Sequence, residues 1–237
     1  MTEIEICAIP IPNANINSFD KLIRYLSKEK RARIMQFKKN DDKFRSLFAE
    51  ILLRLMICKK IKCKNEQVNF EINSYGKPHL VGNSEVHFNI SHSGKWVIIS
   101  LANSQIGIDI EEIKEIDYLA ISKRYFSDRE YKDLSNISEH QQLRYFYNLW
   151  TLKESYVKNI GLGLSKPLYT FTITKINGIF SLLEKGDKIS NIYQFWQWPI
   201  DTDKYVCSLC IKENKNIKIN YNLYSQRKLI KELIQYF

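Results

Sequence analysis

The stretch Ile106-Gly107-Ile108-Asp109-Ile110-Glu111 constrains this chain more than any other. Its alternation is that of a β-strand, where successive side chains point to opposite faces. Ile106, Ile108 and Ile110 then share a buried face. Asp109 and Glu111 share the other, roughly 6–7 Å apart along the strand. Two carboxylates side by side repel each other and favour a cation between them, and hard oxygen ligands suit Mg²⁺ better than zinc. Taken alone, the pattern reads more simply as the solvated polar face of an amphipathic strand.

The surrounding periodicity predicts an α+β fold. A strand over Ile4–Ile9 precedes helical spacing from Asp20 to Phe37, broken near Ser27, and a clear helix over Asp41–Lys60 with Asp41 as its cap. Strands follow at Val68–Ile72, Val86–Ile90, Trp96–Ala102 and Ile106–Glu111, with a turn at Tyr75-Gly76-Lys77-Pro78. Short helices at Tyr118–Tyr125 and Asp128–Leu134 lead to a long helix from Glu139 to Lys158, capped at Ser138 and stopped by Gly161 and Gly163. Strands are expected again at Tyr169–Thr174, Ile179–Leu183, Tyr193–Trp198 and Tyr205–Ile211, with a strand-turn-helix tail over Tyr224–Phe237. The order of elements repeats once. Two similar α+β halves, 1–103 and 104–237 with a C-terminal extension, are therefore expected, although they share no obvious identity.

The net charge is +10, with basic residues concentrated at Lys28–Arg33 and Lys38-Lys39. Nucleic acid, an acidic membrane and acidic small molecules or proteins all attract such a chain, but there is no long basic tail of the kind nucleic-acid binders carry. No run of about 20 apolar residues offers a membrane span. The first apolar run is short, broken by Pro10 and preceded by acid, unlike a signal peptide, so a cytoplasmic location is expected. Five scattered cysteines suit a reducing compartment. Cys207 and Cys210 have a metal-knuckle spacing but stand in a strand-like run, where positions three apart face opposite ways; buried thiols are expected there.

Two further segments carry chemistry. Trp150, Glu154 and Lys158 recur at helical spacing and share one face, either as a core aromatic beside an exposed ion pair or as part of a site. Phe88-Asn89-Ile90-Ser91-His92-Ser93-Gly94 reads as a strand entering a polar turn that offers hydroxyls, an imidazole and backbone N–H groups to an anion. Ser91-His92 does not make a hydrolase pair, since neighbours on a strand diverge and no nucleophile elbow is present. Gly161-Leu162-Gly163 follows a helix instead of opening one, so it is no phosphate loop.

In order and spacing, Tyr75-Gly76-Lys77-Pro78, Phe88–Ser93, Gly107–Glu111 and Trp150-x-x-Lys153-Glu154-Ser155-x-x-Lys158 together resemble the surfactin-type 4'-phosphopantetheinyl transferases. The resemblance spans most of the chain, from the basic helix to Ser165. It implies two α+β halves related by a pseudo-twofold, with coenzyme A in the cleft between them. It implies Asp109, Glu111 and Glu154 as Mg²⁺ ligands and Lys158 at the diphosphate. Lys30, Arg33, Ser46, Lys77, Ser91 and His92 would hold the nucleotide and its 3'-phosphate. Arg33 stands where relatives often carry lysine, which keeps the charge but changes the contact geometry.

The implied reaction moves phosphopantetheine to the serine of an apo carrier protein (peptidyl, acyl or aryl) and releases adenosine 3',5'-bisphosphate. Glu154 or a metal-held water would take the serine proton. A basic monomer of this kind steers both anionic coenzyme A and an acidic carrier, with no nucleic acid or membrane partner. The segment Ile113–Tyr125, with Ile116, Tyr118, Leu119 and Ile121, either docks the carrier or only covers the core. The competing expectations are a Mg²⁺-dependent nuclease using Asp109 with Glu112-Ile113-Lys114, and a non-enzymatic basic binding module that leaves the three acids unexplained.

If Lys30, Arg33, Ser91 and His92 read the 3'-phosphate, dephospho-coenzyme A should be used at least about tenfold less efficiently, a difference of about 1.4 kcal/mol. His92→Ala should shrink that ratio. Equal efficiencies for the two substrates in the wild type, at fixed ionic strength, would reduce the basic segment to an ordinary solvated helix face.

Overall fold

The computed structural model describes residues 1–11, 16–184 and 188–237. β1 (Thr2–Pro10) leads to α1 (Ile16–Ile23), α2 (Lys28–Met35) and the 22-residue α3 (Asn40–Ile61). The hairpin β2 (Phe70–Ile72) and β3 (Pro78–Leu80) follows, then β4 (His87–Ser93) and β5 (Trp96–Ala102). β6 (Ile106–Glu112), α4 (Tyr118–Tyr125), α5 (Asp128–Asn136) and the 22-residue α6 (Glu139–Ile160) repeat the plan. The chain closes with β7 (Thr172–Ile176), β8 (Ile179–Glu184), β9 (Lys188–Ser190), β10 (Tyr193–Ile200), β11 (Tyr205–Lys212), β12 (Ile217–Leu223) and α7 (Gln226–Tyr236).

Local chemistry accounts for the element ends. Ser27 breaks α1 from α2 and caps the latter, its Oγ accepting from Lys30 N at 3.3 Å. α3 starts one residue before the expected cap. Asp41 and Asp42 therefore stand in its first turn, where the helix dipole favours negative charge. Ser138 precedes α6, but its hydroxyl donates to Gln141 Oε1 at 2.8 Å instead of capping the backbone. β4 runs through Ser91, His92 and Ser93, so the polar turn expected there begins only at Gly94. The tail expected over Tyr224–Phe237 contains only a helix, Gln226–Tyr236; the strand of this region, Ile217–Leu223, ends before it.

The layers follow from alternating burial. One sheet has the order β12-β1-β5-β4 and the other β10-β11-β6. Cys7, Ile9, Val97, Ile99 and Leu101 bury one face of the first sheet against Leu47, Phe48, Ile51 and Leu55 of α3. Ile4, Ile6 and Ile98 bury the other face against Ile108, Ile110, Leu209 and Ile211 of the second sheet. α6 covers the far side of that sheet, with Leu149, Leu152 and Tyr156 clustered with Val206 and Cys210. Cys207 and Cys210 thus enter two different cores, as opposite strand faces require. The C-terminal segment crosses back: β12 pairs in parallel with β1, and Leu229 and Leu233 of α7 join the core beneath α3. Among the described residues no helix is long and apolar enough to cross a membrane.

Gly107 lets the long helix reach the strand that carries the acids. A Cβ there would collide with Ser155 O and Asn159 N, both backbone atoms of α6. Gly107→Ala should therefore lower the unfolding free energy by about 1–3 kcal/mol through overpacking. An unchanged denaturant midpoint would show that α6 can retreat from β6 freely.

Candidate active site

β4 and β6 are edge strands of different sheets, and side chains join them. Asn89 Oδ1 accepts from Ile108 N at 2.8 Å, Ser91 Oγ from Ile110 N at 3.2 Å and Ser93 Oγ from Glu112 N at 3.0 Å. Three side-chain oxygens at every second position of β4 thus meet three N–H groups at every second position of β6. The period-two geometry of both strands makes this possible. The same serines donate onward, Ser91 Oγ to Asp109 Oδ1 at 2.9 Å and Ser93 Oγ to Glu111 Oε2 at 2.8 Å. The seam therefore both closes the two halves and orients the two acids.

α6 brings the remaining groups. Lys158 Nζ lies 2.6 Å from Asp109 Oδ1 and 3.0 Å from Ser91 Oγ. Trp150, Glu154 and Lys158 face a groove of ≈ 400 Å³ together with Ile90, Ser91, His92, Asp109 and Glu111. The same three α6 residues also line an adjoining chamber of ≈ 610 Å³, walled by Tyr75, Gly76, Lys77, Pro78, Ile121 and Tyr125 among others. The expected single face of α6 is thus present at the cleft between the halves. Lys153, beside Glu154, turns the other way. It is fully buried, 2.7 Å from both Glu130 carboxylate oxygens, and also donates to Phe171 O at 2.8 Å.

Charge is unbalanced at the cleft. Burial and the neighbouring Asp109 raise the Glu111 pKa to about 7. Burial and then Asp109 also push Glu154 upward. Burial works against the Lys158 ammonium, but Asp109 outweighs it and holds that pKa above the ordinary value. One lysine faces three carboxylates, and Asp109 Oδ2 is buried with no hydrogen-bond partner among the described residues. An orphaned carboxylate oxygen beside two acids that resist ionisation is a donor set that suits a hard divalent cation. Among the described residues no three His, Cys, Asp or Glu side chains already stand at ligating distances, and the Lys158 ammonium occupies Asp109 Oδ1.

The other predicted site residues are dispersed. His92 is exposed and also borders a basin of ≈ 550 Å³ containing Arg45, Lys95 and Lys114. Lys30 is ion-paired with the buried Glu50 at 2.7 Å, Arg33 is exposed and Ser46 is half-buried; none of the three lines the groove or the chamber. Lys77 borders the chamber, but its ammonium donates to three backbone carbonyls. Glu112 has the opposite strand parity from Asp109 and pairs with Lys114 at 2.6 Å, so no nuclease-like cluster forms with Asp109. In the proposed docking segment Ile116 and Leu119 are exposed, whereas Tyr118 and Ile121 pack against the core. Asn89 and Ser93 had no role assigned from sequence; their alternation with Ser91 was the available signal.

Asn89→Ala would leave the buried Ile108 N–H unpaired and should cost about 1–3 kcal/mol of unfolding free energy. Ser93→Ala, at the wetter end of the seam, should cost less because water can replace the hydroxyl. Equal losses in denaturant melts would contradict this gradient.

The comparisons with known proteins agree with the geometry. Residues 105–210 match the 4'-phosphopantetheinyl transferase superfamily, and residues 13–104 match the family described as "4'-phosphopantetheinyl transferase, N-terminal". The chain is 36% identical over 210 residues to 4'-phosphopantetheinyl transferase gsp of Aneurinibacillus migulanus, covering 87% of this chain and 85% of that one. It is 40% identical over 154 residues to 4'-phosphopantetheinyl transferase Sfp of Bacillus subtilis (strain 168), covering 65% and 68% respectively. The figure for 4'-phosphopantetheinyl transferase psf-1 of Bacillus pumilus is 40% over 164 residues, covering 69% and 70%. On this seam, these acids and these relatives, the chain belongs to the 4'-phosphopantetheinyl transferase superfamily.

Proposed function

We propose that the protein transfers 4'-phosphopantetheine from coenzyme A to a carrier-protein serine in the cleft between β6 and α6. It would act as a cytoplasmic monomer without nucleic acid or membrane. The observation that carries the reading is the meeting of Asp109, Glu111, Glu154 and Lys158 in one groove that opens into a larger chamber. The transferred group must lie in such a groove while its long arm and the nucleotide extend away from it. The chain's net charge of +10 favours the approach of an anionic donor and an acidic carrier.

In this account the serine hydroxyl attacks the pantetheine-side phosphorus, and the bond to the bridging oxygen of adenosine 3',5'-bisphosphate breaks. Glu154 is the one acid of the three that borders both groove and chamber. Burial and then Asp109 push its pKa above the ordinary carboxylate value, which favours it as the group that takes the serine proton. Lys158 holds positive charge against the diphosphate. Its present hydrogen bonds to Asp109 and Ser91 keep it extended in the groove. Asp109, Glu111 and Glu154 would hold Mg²⁺, which when bound offsets charge on the diphosphate oxygens. Ser91 and Ser93 keep Asp109 and Glu111 oriented before substrate arrives. Exposed Ile116 and Leu119 offer an apolar contact for the carrier.

Incubation with coenzyme A, Mg²⁺ and an apo carrier, followed by weighing the carrier, should show the gain of one phosphopantetheine. Excess chelator should prevent it. Asp109→Ala should abolish the gain. Undiminished turnover in chelator would sink the metal assignment, and an unmodified carrier across a panel of apo-carriers would sink the transferase itself.

A further inference from the structure

The turn before β3 carries a lysine whose ammonium is directed at backbone. Lys77 Nζ donates to the carbonyl oxygens of Lys158 (2.6 Å), Asn159 (2.9 Å) and Ile106 (3.2 Å). An ammonium has three donors and no acceptor, so this set occupies it fully. Lys158 and Asn159 lie in the last turn of α6, where carbonyls lack an intrahelical partner and the helix dipole is negative. A cation there is a cap, supplied from a distant part of the chain. The third carbonyl belongs to Ile106, the first residue of β6. One side chain thus joins the Tyr75–Pro78 turn to the start of the strand bearing Asp109 and Glu111, and to the end of the helix bearing Glu154 and Lys158.

The neighbouring contacts shape this joint. Asn73 Nδ2 donates to Gly161 O at 3.2 Å, while its Oδ1 accepts from Tyr75 N and Lys77 N, each at 2.9 Å. The turn and the helix end are thereby held by a second residue. Gly161 closes α6 with φ 71°, a conformation that suits glycine, and a Cβ there would stand 2.9 Å from Lys77 Cδ. Burial pulls the Lys77 pKa down to about 8, and the three carbonyls are what its buried ammonium meets in place of water.

We propose that Lys77 is a positioning residue for phosphopantetheine transfer: it clamps the last turn of α6 onto β6 and so sets where Lys158 and Glu154 stand over Asp109. It acts through Lys158, whose carbonyl it holds and whose ammonium lies 2.6 Å from Asp109 Oδ1. The inference rests on the transferase reading of the cleft. It moves the Lys77 side chain from the nucleotide to the alignment of the reacting groups.

Lys77→Met keeps the aliphatic stem and removes the donors. Its turnover should fall about tenfold to a hundredfold, the scale of a small misplacement, with the Michaelis constant for coenzyme A little changed. Lys77→Arg, which keeps the charge in a different geometry, should fall between the two. Amide hydrogen exchange over residues 155–161 should quicken in Lys77→Met while that of α3 does not. If Lys77→Met does not fold, Asn73→Ala should show the same split on a smaller scale. A raised Michaelis constant with unchanged turnover would overturn the proposal and return Lys77 to direct substrate contact. Faster exchange with both constants unchanged would also overturn it, leaving a feature of stability alone. Exchange is read without substrate, so a failed clamp is distinguishable from a failed transferase assignment, in which the wild type itself leaves the carrier unmodified.

Discussion

Two strand edges that would otherwise expose unpaired N–H groups are closed by side chains instead of by a backbone ladder. Asn89, Ser91 and Ser93 of β4 each accept from an alternate N–H of β6. A backbone ladder would bring the strands to ordinary sheet spacing and leave no polar side chains between them. Bridging through side chains fills the joint with one amide and two hydroxyls. Those hydroxyls then have a second hydrogen-bonding direction, which Ser91 and Ser93 direct at Asp109 and Glu111. The joint between the halves and the orientation of the acids are one hydrogen-bond network, and disturbing either disturbs both.

The same network explains how the cleft tolerates so much buried acid. Asp109 is almost wholly buried, and Lys158 and Ser91 both donate to its Oδ1. Glu111 and Glu154 have weaker compensation, and their raised pKa values record it. The fold therefore carries an electrostatic deficit that its own cations do not fill. A site of this kind binds a cation and an anionic diphosphate more readily than a site already satisfied, because arriving charge replaces an unfavourable arrangement. The close approach of α6 at Gly107 is the packing term that allows it, since a side chain there would displace the helix that brings Glu154 and Lys158.

What the sequence disclosed depended on range. The alternation of Ile106–Glu111 and the periodicity of α3 and α6 each arise from one buried face, so local spacing placed those elements within a few residues of where they stand. The opposed burial of Cys207 and Cys210 followed from the same rule. β12 was not legible because an outer strand buries one face only partly: Ile217, Ile219 and Tyr221 alternate weakly, and the partner, β1, lies at the other end of the chain. Ser91-His92-Ser93 has turn composition, but the hydroxyls stand in a strand because they serve as the ladder. Lys30 and Lys77 looked equally free to meet an anion. Their partners, Glu50 and the end of α6, are set by tertiary packing that charge pattern does not report.

In the proposed function, β6 and α6 together build one cation site across which the diphosphate would bind. This is tested most directly by crystals grown with coenzyme A and Mn²⁺ and measured for anomalous scattering. A peak in contact with the carboxylates of Asp109, Glu111 and Glu154 is expected. A fully active protein whose crystals show no peak among those three residues, or a peak held by other side chains, would contradict it.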